Sequence, residues 1–222
     1  MRIASLPPSR RVWIFDLDNT LHDAQARIFP SMHEQINEYL KRRFKVDDAG
    51  ANAMRQDFWR RYGTTLNGLM RHHGVQPRDF IAETHVFPEL SDMVVGHNAL
   101  AHALARLGGR KLVFSNAPRH YVEVVLRALG VERFFDAVYT IEDTRYRGKP
   151  SLRGFHVLLR KHDLDPHRCV FVDDVLENLR TAHRLGMSTV WVSRERRRVP
   201  FVDLRISSVT ELPRLVFRWT SA

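Results

Sequence analysis

A single cysteine, Cys169, is all that the 222 residues contain, so an intramolecular disulfide is excluded and a cysteine-based zinc site is not expected. It stands in Arg168-Cys169-Val170-Phe171-Val172, an apolar run that predicts a buried strand with an inert thiol. No stretch is apolar enough for a membrane span, and residues 1–11, which carry Pro7 and Pro8, lack a signal-peptide run. A cytoplasmic setting without a membrane partner is therefore expected. Internal repeats and low-complexity tracts are absent, and no motif specifies an oligomeric state. Acidic residues are the scarcer charge, 25 against 35 basic ones. The resulting formal charge of +10 favours an anionic partner without choosing among nucleic acid, a membrane surface and a phosphorylated metabolite. The one dense basic run, residues 194–198, reads as a solvated loop and not as a nucleic-acid patch. With 44% apolar and 27% charged residues the chain is too apolar for intrinsic disorder, and its length permits one large domain or a core with a smaller insert.

Short apolar runs rich in β-branched and aromatic residues stop abruptly at polar ones, which predicts strands. They are residues 12–15, ending at Asp16 and Asp18; 111–114, ending at Ser115 and Asn116; 137–139, followed by Glu142 and Asp143; 169–172, ending at Asp173 and Asp174; and 188–192. Between them, helical periods span 98–107, 118–129, 152–161 and 176–185, most of them punctuated by proline near the start or glycine past the end. Strands alternating with such helices predict a doubly wound parallel sheet, a Rossmann-like α/β fold, with ligands at the carboxyl ends of the strands. The alternation breaks between the first strand and the second. Helical patterns alone cover 31–44, 48–62, 66–73 and 77–84, so an all-helical insert over residues 23–92 is expected within a core of 1–22 and 93–222.

The polar residues at the strand ends form a coherent chemical set. Asp16 and Asp18 are two apart on an extended chain and face one side, although Asp and Asn also favour turns and helix caps without any catalysis. Ser115 and Asn116 add hydroxyl and amide donors, Lys149 adds a cation, and Asp173, Asp174 and Asn178 add carboxylates and an amide. Together they meet the demands of phosphoryl transfer to a carboxylate, since an ionised aspartate attacks phosphorus without a base. Its obstacle is repulsion, roughly 4 kcal/mol for two like charges about 4 Å apart at an effective dielectric of about 20, and more for a phosphate dianion. A divalent cation and a lysine reverse that sign. Magnesium takes hard oxygen ligands, which Asp16 and Asp174 supply, and the lack of cysteine or of a paired-histidine spacing argues against zinc. Asp18 is then left to give a proton to the departing alkoxide and take one from the attacking water.

Asp16-Leu17-Asp18-Asn19-Thr20-Leu21 resembles the first motif of the haloacid dehalogenase superfamily in its phosphatase form. Ser115-Asn116 resembles the second motif, Lys149-Pro150 the third, and Asp173-Asp174 with Asn178 the fourth, all in order across nearly the whole chain. The resemblance implies Asp16 as nucleophile and magnesium ligand, and Asp18 as acid/base with its backbone carbonyl on the metal. It implies Ser115, Asn116 and Lys149 as phosphate-binding groups, Asp174 as a metal ligand, and Asp173 and Asn178 as residues that hold and orient the metal shell. The helical insert is similar to the cap of the superfamily's first cap class, whose closure would exclude water. Within the superfamily the pyrimidine 5′-nucleotidase group is most similar, through Phe15 to Leu21, Arg61-Tyr62-Gly63 with Gly68-Leu69, Ser115-Asn116-Ala117, and Phe171 to Asp174 with Asn178.

That similarity implies a pyrimidine nucleoside 5′-monophosphate as the small phosphorylated partner, with Arg61, Tyr62 and His72 as cap contacts and Trp59 available for stacking. Each has a plainer reading: aromatic residues at helical spacing are usually core, and histidine suits a helix C-terminus. His22, Asp23, Arg119 and His120 are likewise substrate contacts or ordinary turn and helix residues. A phosphatase for sugar phosphates shares every core residue. A noncatalytic phosphate-binding scaffold would be expected to lack Asp16, Asp18 or Lys149, and a dehalogenase has no use for Asp18.

Overall fold

The structure, a computed structural model, describes residues 10–220; the N-terminal stretch carrying Pro7 and Pro8 lies outside them. In chain order the elements are β1 (Val12–Phe15), α1 (Ile28–Phe44), α2 (Asp48–Tyr62), α3 (Thr65–His73), α4 (Pro77–Thr84), α5 (Leu90–Met93) and α6 (Leu100–Arg106). Then follow β2 (Arg110–Phe114), α7 (Arg119–Ala128), β3 (Ala137–Tyr139), α8 (Leu152–Lys161), β4 (Cys169–Asp173), α9 (Leu176–Arg184), β5 (Ser188–Val192), β6 (Leu204–Ile206) and α10 (Leu212–Thr220). The described chain divides into two compact units, one ending at Asp23 and resuming at Val94, the other Ala24–Met93.

The first unit is the doubly wound α/β fold. Its six strands run parallel in the order β3-β2-β1-β4-β5-β6. β1 is central and buried at every position, paired with β2 through Val12↔Arg110 to Phe15↔Val113 and with β4 through Val12↔Cys169 to Phe15↔Val172. Continuous apolar runs make such strands because both faces are covered. On one face Phe155 of α8 meets Phe114 of β2 edge-on at 5.3 Å and Phe171 of β4 at 5.1 Å, so a single ring spans both neighbours of β1. All three are fully buried, each contributing roughly 1.5–3 kcal/mol by leaving water. On the other, Trp13 stacks on Phe15 at 6.1 Å, and its indole N–H donates to the Gly108 carbonyl at 3.0 Å. Strand order reverses at the sheet centre, β2 and β3 being added on one side of β1 and β4, β5 and β6 on the other, which makes the switch point where such folds hold ligands.

β6 and α10 have no counterpart in the sequence reading. β6 is three residues long, borders only β5 and exposes Arg205, too brief for a period to register. Cys169 is buried, and burial pushes its thiol up to about 12, as an inert core cysteine requires.

The second unit is all helical. α1 begins at Ile28, a turn before the expected start, because Pro30 sits in its first turn, where no intrahelical N–H is needed. α2 is capped by Asp47 and α3 by Thr64, each accepting from the amide three residues on. α2 and α3 touch closely at Gly68, where a Cβ would lie 2.3 Å from Cγ of Phe58.

Candidate active site

The site stands at the carboxyl end of β1, flanked by the ends of β2 and β4. The strand register delivers it: Phe15 pairs with Val113 and with Val172, so Asp16 follows at the level of Asp173. The Asp16 amide continues the ladder by donating to the Val172 carbonyl at 2.9 Å. Leu17 points into the core with no exposure, which leaves Asp16 and Asp18 on the opposite side, as period-two geometry demands.

Lys149 is the centre of charge. Its ammonium donates to Asp16 Oδ1 at 2.5 Å and to Asp173 Oδ2 at 2.8 Å, and its side chain is 2% exposed. It lies over the rings of Phe114 and Phe171, 5.5 and 5.6 Å from their centroids, a further stabilisation for a desolvated cation. Burial alone would lower its pKa, but the Asp16 and Asp173 carboxylates outweigh that and hold it above the ordinary lysine value.

Asn116 fixes where that lysine sits. Its side-chain amide donates to the Lys149 carbonyl and accepts from the Lys149 amide, both at 2.8 Å. The approach depends on Gly148, because a Cβ there would lie 2.1 Å from Asn116 Oδ1. Both ends of the side chain expected among the phosphate-binding groups are thus engaged with backbone. Ser115 is 1% exposed and its Oγ accepts from the Ala117 amide at 3.0 Å, which leaves the hydroxyl proton to donate.

Asp173 is fully buried and heavily satisfied. Asn178 Nδ2 reaches both its oxygens at 3.0 Å, and the Val175 amide donates to Oδ1 at 2.8 Å. Asp174 is partly open, and its backbone carbonyl accepts from the Trp191 indole at 2.9 Å. Burial, then the negative charge of Asp173, raises the Asp174 carboxyl to about 7. Asp16 is also held well above the ordinary aspartate value, first by burial and then by Asp173, Asp174 and Asp18, with Lys149 opposing.

Asp18 lies beside this group and has two partners on one oxygen. The Tyr121 hydroxyl donates to Oδ1 at 2.6 Å, and His22 Nε2 is 2.9 Å from the same atom. Tyr121, on α7, is fully buried; burial, then the Asp18 charge, holds its phenol well above the ordinary value. Tyr121 was absent from the residues singled out by sequence, since Tyr121, Val122, Val125 and Leu126 form one buried stripe and read together as core. His22 is buried against Asp18, so its ring is turned inward. Arg119 is an anchoring residue of α7: its guanidinium pairs with Asp143 at 2.5 Å, and its amide caps onto Glu142.

A divalent cation fits these donors. Asp16, Asp173 and Asp174 bring carboxylate oxygens within 4.8 Å of one another, all hard ligands. The Lys149 ammonium pairs with Asp16 and Asp173, and when Asp16, Asp18, Asp173 and Asp174 are all ionised the negative charges exceed it by three, a repulsion that a divalent cation relieves. Asp173 already satisfies its lone pairs with Lys149, Val175 and Asn178, which leaves Asp16 and Asp174 as the carboxylates with room.

The remaining candidates belong to the helical unit. The Tyr62 hydroxyl and His72 Nε2 are hydrogen-bonded at 2.5 Å, and Phe58 stacks flat on His72 at 5.8 Å. Arg61 pairs with Asp57 at 2.9 Å. Trp59 is 58% exposed.

Sheet order, strand-end carboxylates and buried lysine define a doubly wound α/β protein with an acidic, cation-ready site at its topological switch point. The sequence profile of the haloacid dehalogenase-like hydrolases matches residues 11–186, and the chain belongs to that family. It is 24% identical over 200 residues to phosphate metabolism protein 8 of Saccharomyces cerevisiae, a match covering 82% of this chain and 61% of the yeast protein. The chain thus spans less than two thirds of that relative. It is 23% identical over 194 residues to pyrophosphatase PpaX of Bacillus velezensis, covering 81% of this chain and 82% of that one. Among solved structures, a HAD phosphatase from Thermococcus onnurineus superposes with a TM-score of 0.66 at 19% identity, covering 93% of this chain and 97% of that one. Among the described residues no helix is long and apolar enough to cross a membrane.

Proposed function

We propose that this chain is a magnesium-dependent phosphomonoesterase acting in the cytoplasm through an aspartyl-phosphate on Asp16. The observation that carries the reading is the Lys149 ammonium held between Asp16 and Asp173, 2.5 and 2.8 Å away, at the end of the central strand. A buried cation there lets an anionic ester approach an anionic nucleophile. Names of relatives containing phosphate metabolism and pyrophosphatase support the same chemistry.

Asp16 and Asp174, with the backbone carbonyl of Asp18, would hold the magnesium. When bound it supplies positive charge against the carboxylates and the phosphoryl oxygens. A carboxylate oxygen of Asp16 attacks phosphorus, and the bond from phosphorus to the ester oxygen breaks. The Asp18 carboxyl gives its proton to that oxygen, and the alcohol leaves. Water then attacks the phosphoryl group, Asp18 takes up its proton, and the bond to Asp16 breaks to yield inorganic phosphate and the free carboxylate. Ser115 and Lys149 bind the phosphoryl oxygens. Asn116 contributes by fixing Lys149, and Asn178 by orienting Asp173.

The helical unit Ala24–Met93 is read as a cap that sets specificity, and pyrimidine nucleoside 5′-monophosphates as the preferred substrates. Exposed Trp59 supports stacking on a base. A specific observation favours a second reading, small sugar phosphates: the Tyr62–His72 hydrogen bond and the Arg61–Asp57 pair satisfy within the unit the groups a nucleoside would use. Phosphate release from UMP, CMP, AMP, GMP, ribose 5-phosphate and phosphoglycolate, with Asp16→Asn as control, tests both levels. Turnover in the control removes the mechanism, and equal kcat/KM for ribose 5-phosphate removes the nucleotidase.

A further inference from the structure

We infer that Tyr121 and His22 are positioning residues that hold Asp18 by one oxygen so that the other carries the transferred proton. The inference rests on the acid/base reading of Asp18 given above. Both contacts converge on Oδ1, the phenol at 2.6 Å and the imidazole at 2.9 Å. They come from separate parts of the unit. Tyr121 lies on α7, 103 residues away in sequence, whereas His22 closes the turn after β1 and bridges to Asp18 and Gly96 through its backbone. The Tyr121 side chain has no exposure, and neither has that of His22.

The donor directions follow from chemistry. A protonated phenol facing a carboxylate donates. His22 Nδ1 is buried with no hydrogen-bond partner, so a proton there would be stranded, while a proton on Nε2 is used by Asp18. Two donors on Oδ1 fix both side-chain torsions of Asp18 and leave Oδ2 with one direction. The proton therefore travels from Oδ2 to the ester oxygen as the phosphorus–oxygen bond breaks, and Asp18 is left anionic on the two donors. Two buried groups of this kind do more than fill space. A phenylalanine and a leucine would fill it equally well, and neither would orient a carboxyl.

The test compares kcat/KM for ribose 5-phosphate, whose alkoxide must be protonated to leave, with kcat/KM for p-nitrophenyl phosphate, whose phenolate leaves unaided. This parameter reports the steps through transfer to Asp16, so the water half-reaction does not blur it. Tyr121→Phe, which keeps volume and leaves no stranded donor, should lose about tenfold to a hundredfold on ribose 5-phosphate and less than about threefold on p-nitrophenyl phosphate. His22→Leu should behave alike, and His22→Gln, which returns an amide donor, should recover most of the loss. Should Tyr121→Phe fold poorly, the His22→Leu and His22→Gln pair carries the same comparison. Equal losses on both esters, or no loss on either, in a variant whose thermal midpoint matches the parent overturn the inference. Asp18→Asn separates the two failures. A selective loss in Asp18→Asn without one in Tyr121→Phe and His22→Leu removes only the positioning role, whereas no selective loss in Asp18→Asn removes the acid/base reading and this inference with it.

Discussion

Asn116 grips Lys149 by its backbone, donating to the carbonyl and accepting from the amide at 2.8 Å each, so the second residue past β2 sets the position of the site's cation. Asn116→Ala removes both bonds. It should lower kcat/KM about tenfold or more and cost roughly 1–3 kcal/mol of stability, the penalty for leaving buried backbone groups unpaired. Gly148→Ala should reproduce the defect, because its methyl would occupy the place of Asn116 Oδ1, 2.1 Å away. Steady-state kinetics and chemical denaturation of both variants check this; wild-type kcat/KM in Asn116→Ala would refute it.

Metal and proton compete for the same carboxylates. Burial and Asp173 raise Asp174 to about 7, and burial raises Asp16 in the same direction. A carboxyl with a folded pKa above its unfolded value binds more protons folded than unfolded, so its contribution is complete below about pH 4 and is lost as pH rises towards about 7. In chelator, wild type should therefore lose stability relative to Asp174→Asn between about pH 4 and about pH 7. Magnesium should stabilise wild type more at the upper end, by about 2.7 kcal/mol at a hundredfold excess over Kd. Thermal scans of both proteins with and without magnesium measure the difference, and a wild-type curve that climbs with pH against Asp174→Asn in chelator would contradict it.

Much of the core site was legible in sequence, and the reasons are local. Asp16 and Asp18 follow four consecutive buried residues and obey a period of two, and Asp173 and Asp174 end another buried run. What stayed hidden depends on partners far along the chain. The Asn116 amide finds the Lys149 backbone 33 residues later, and nothing in Ser115-Asn116 distinguishes that from a contact to phosphate. Tyr121 sits in an apolar helical stripe, and only the fold turns its hydroxyl towards Asp18. Likewise His22 reads as a turn residue until its burial is seen.

Removal of the buried ammonium should be felt in stability as well as rate. Lys149→Ala leaves Asp16 and Asp173 facing each other without a cation, and breaking a buried pair from one side costs about 3–5 kcal/mol. The loss should be smaller at about pH 5, where Asp16, whose carboxyl burial already raises, takes up a proton more readily, than at about pH 8. Urea denaturation at the two pH values decides it. A loss that is equal at both would mean that the carboxylates are not what the lysine compensates.

The final prediction concerns the helical unit. Tyr62 and His72 bond to each other and His72 lies flat on Phe58, so these rings form a packed set within α2 and α3. Tyr62→Phe should therefore cost about 0.5–1.5 kcal/mol of stability, the usual worth of one hydrogen bond, and leave substrate preference unchanged. Trp59 differs, since 58% of it is open to solvent. In the nucleotidase reading it stacks on the base, a contact worth roughly 1–3 kcal/mol in single-strand binding proteins. Trp59→Ala should then lower kcat/KM for UMP and CMP by about tenfold to a hundredfold and leave ribose 5-phosphate unchanged, because only the former have a base to stack. Measuring all three substrates on wild type, Tyr62→Phe and Trp59→Ala separates stacking from stability. Equal losses on the nucleotides and the sugar phosphate would show that Trp59 does not read a base, and preference for ribose 5-phosphate in wild type would move the assignment to the sugar phosphates.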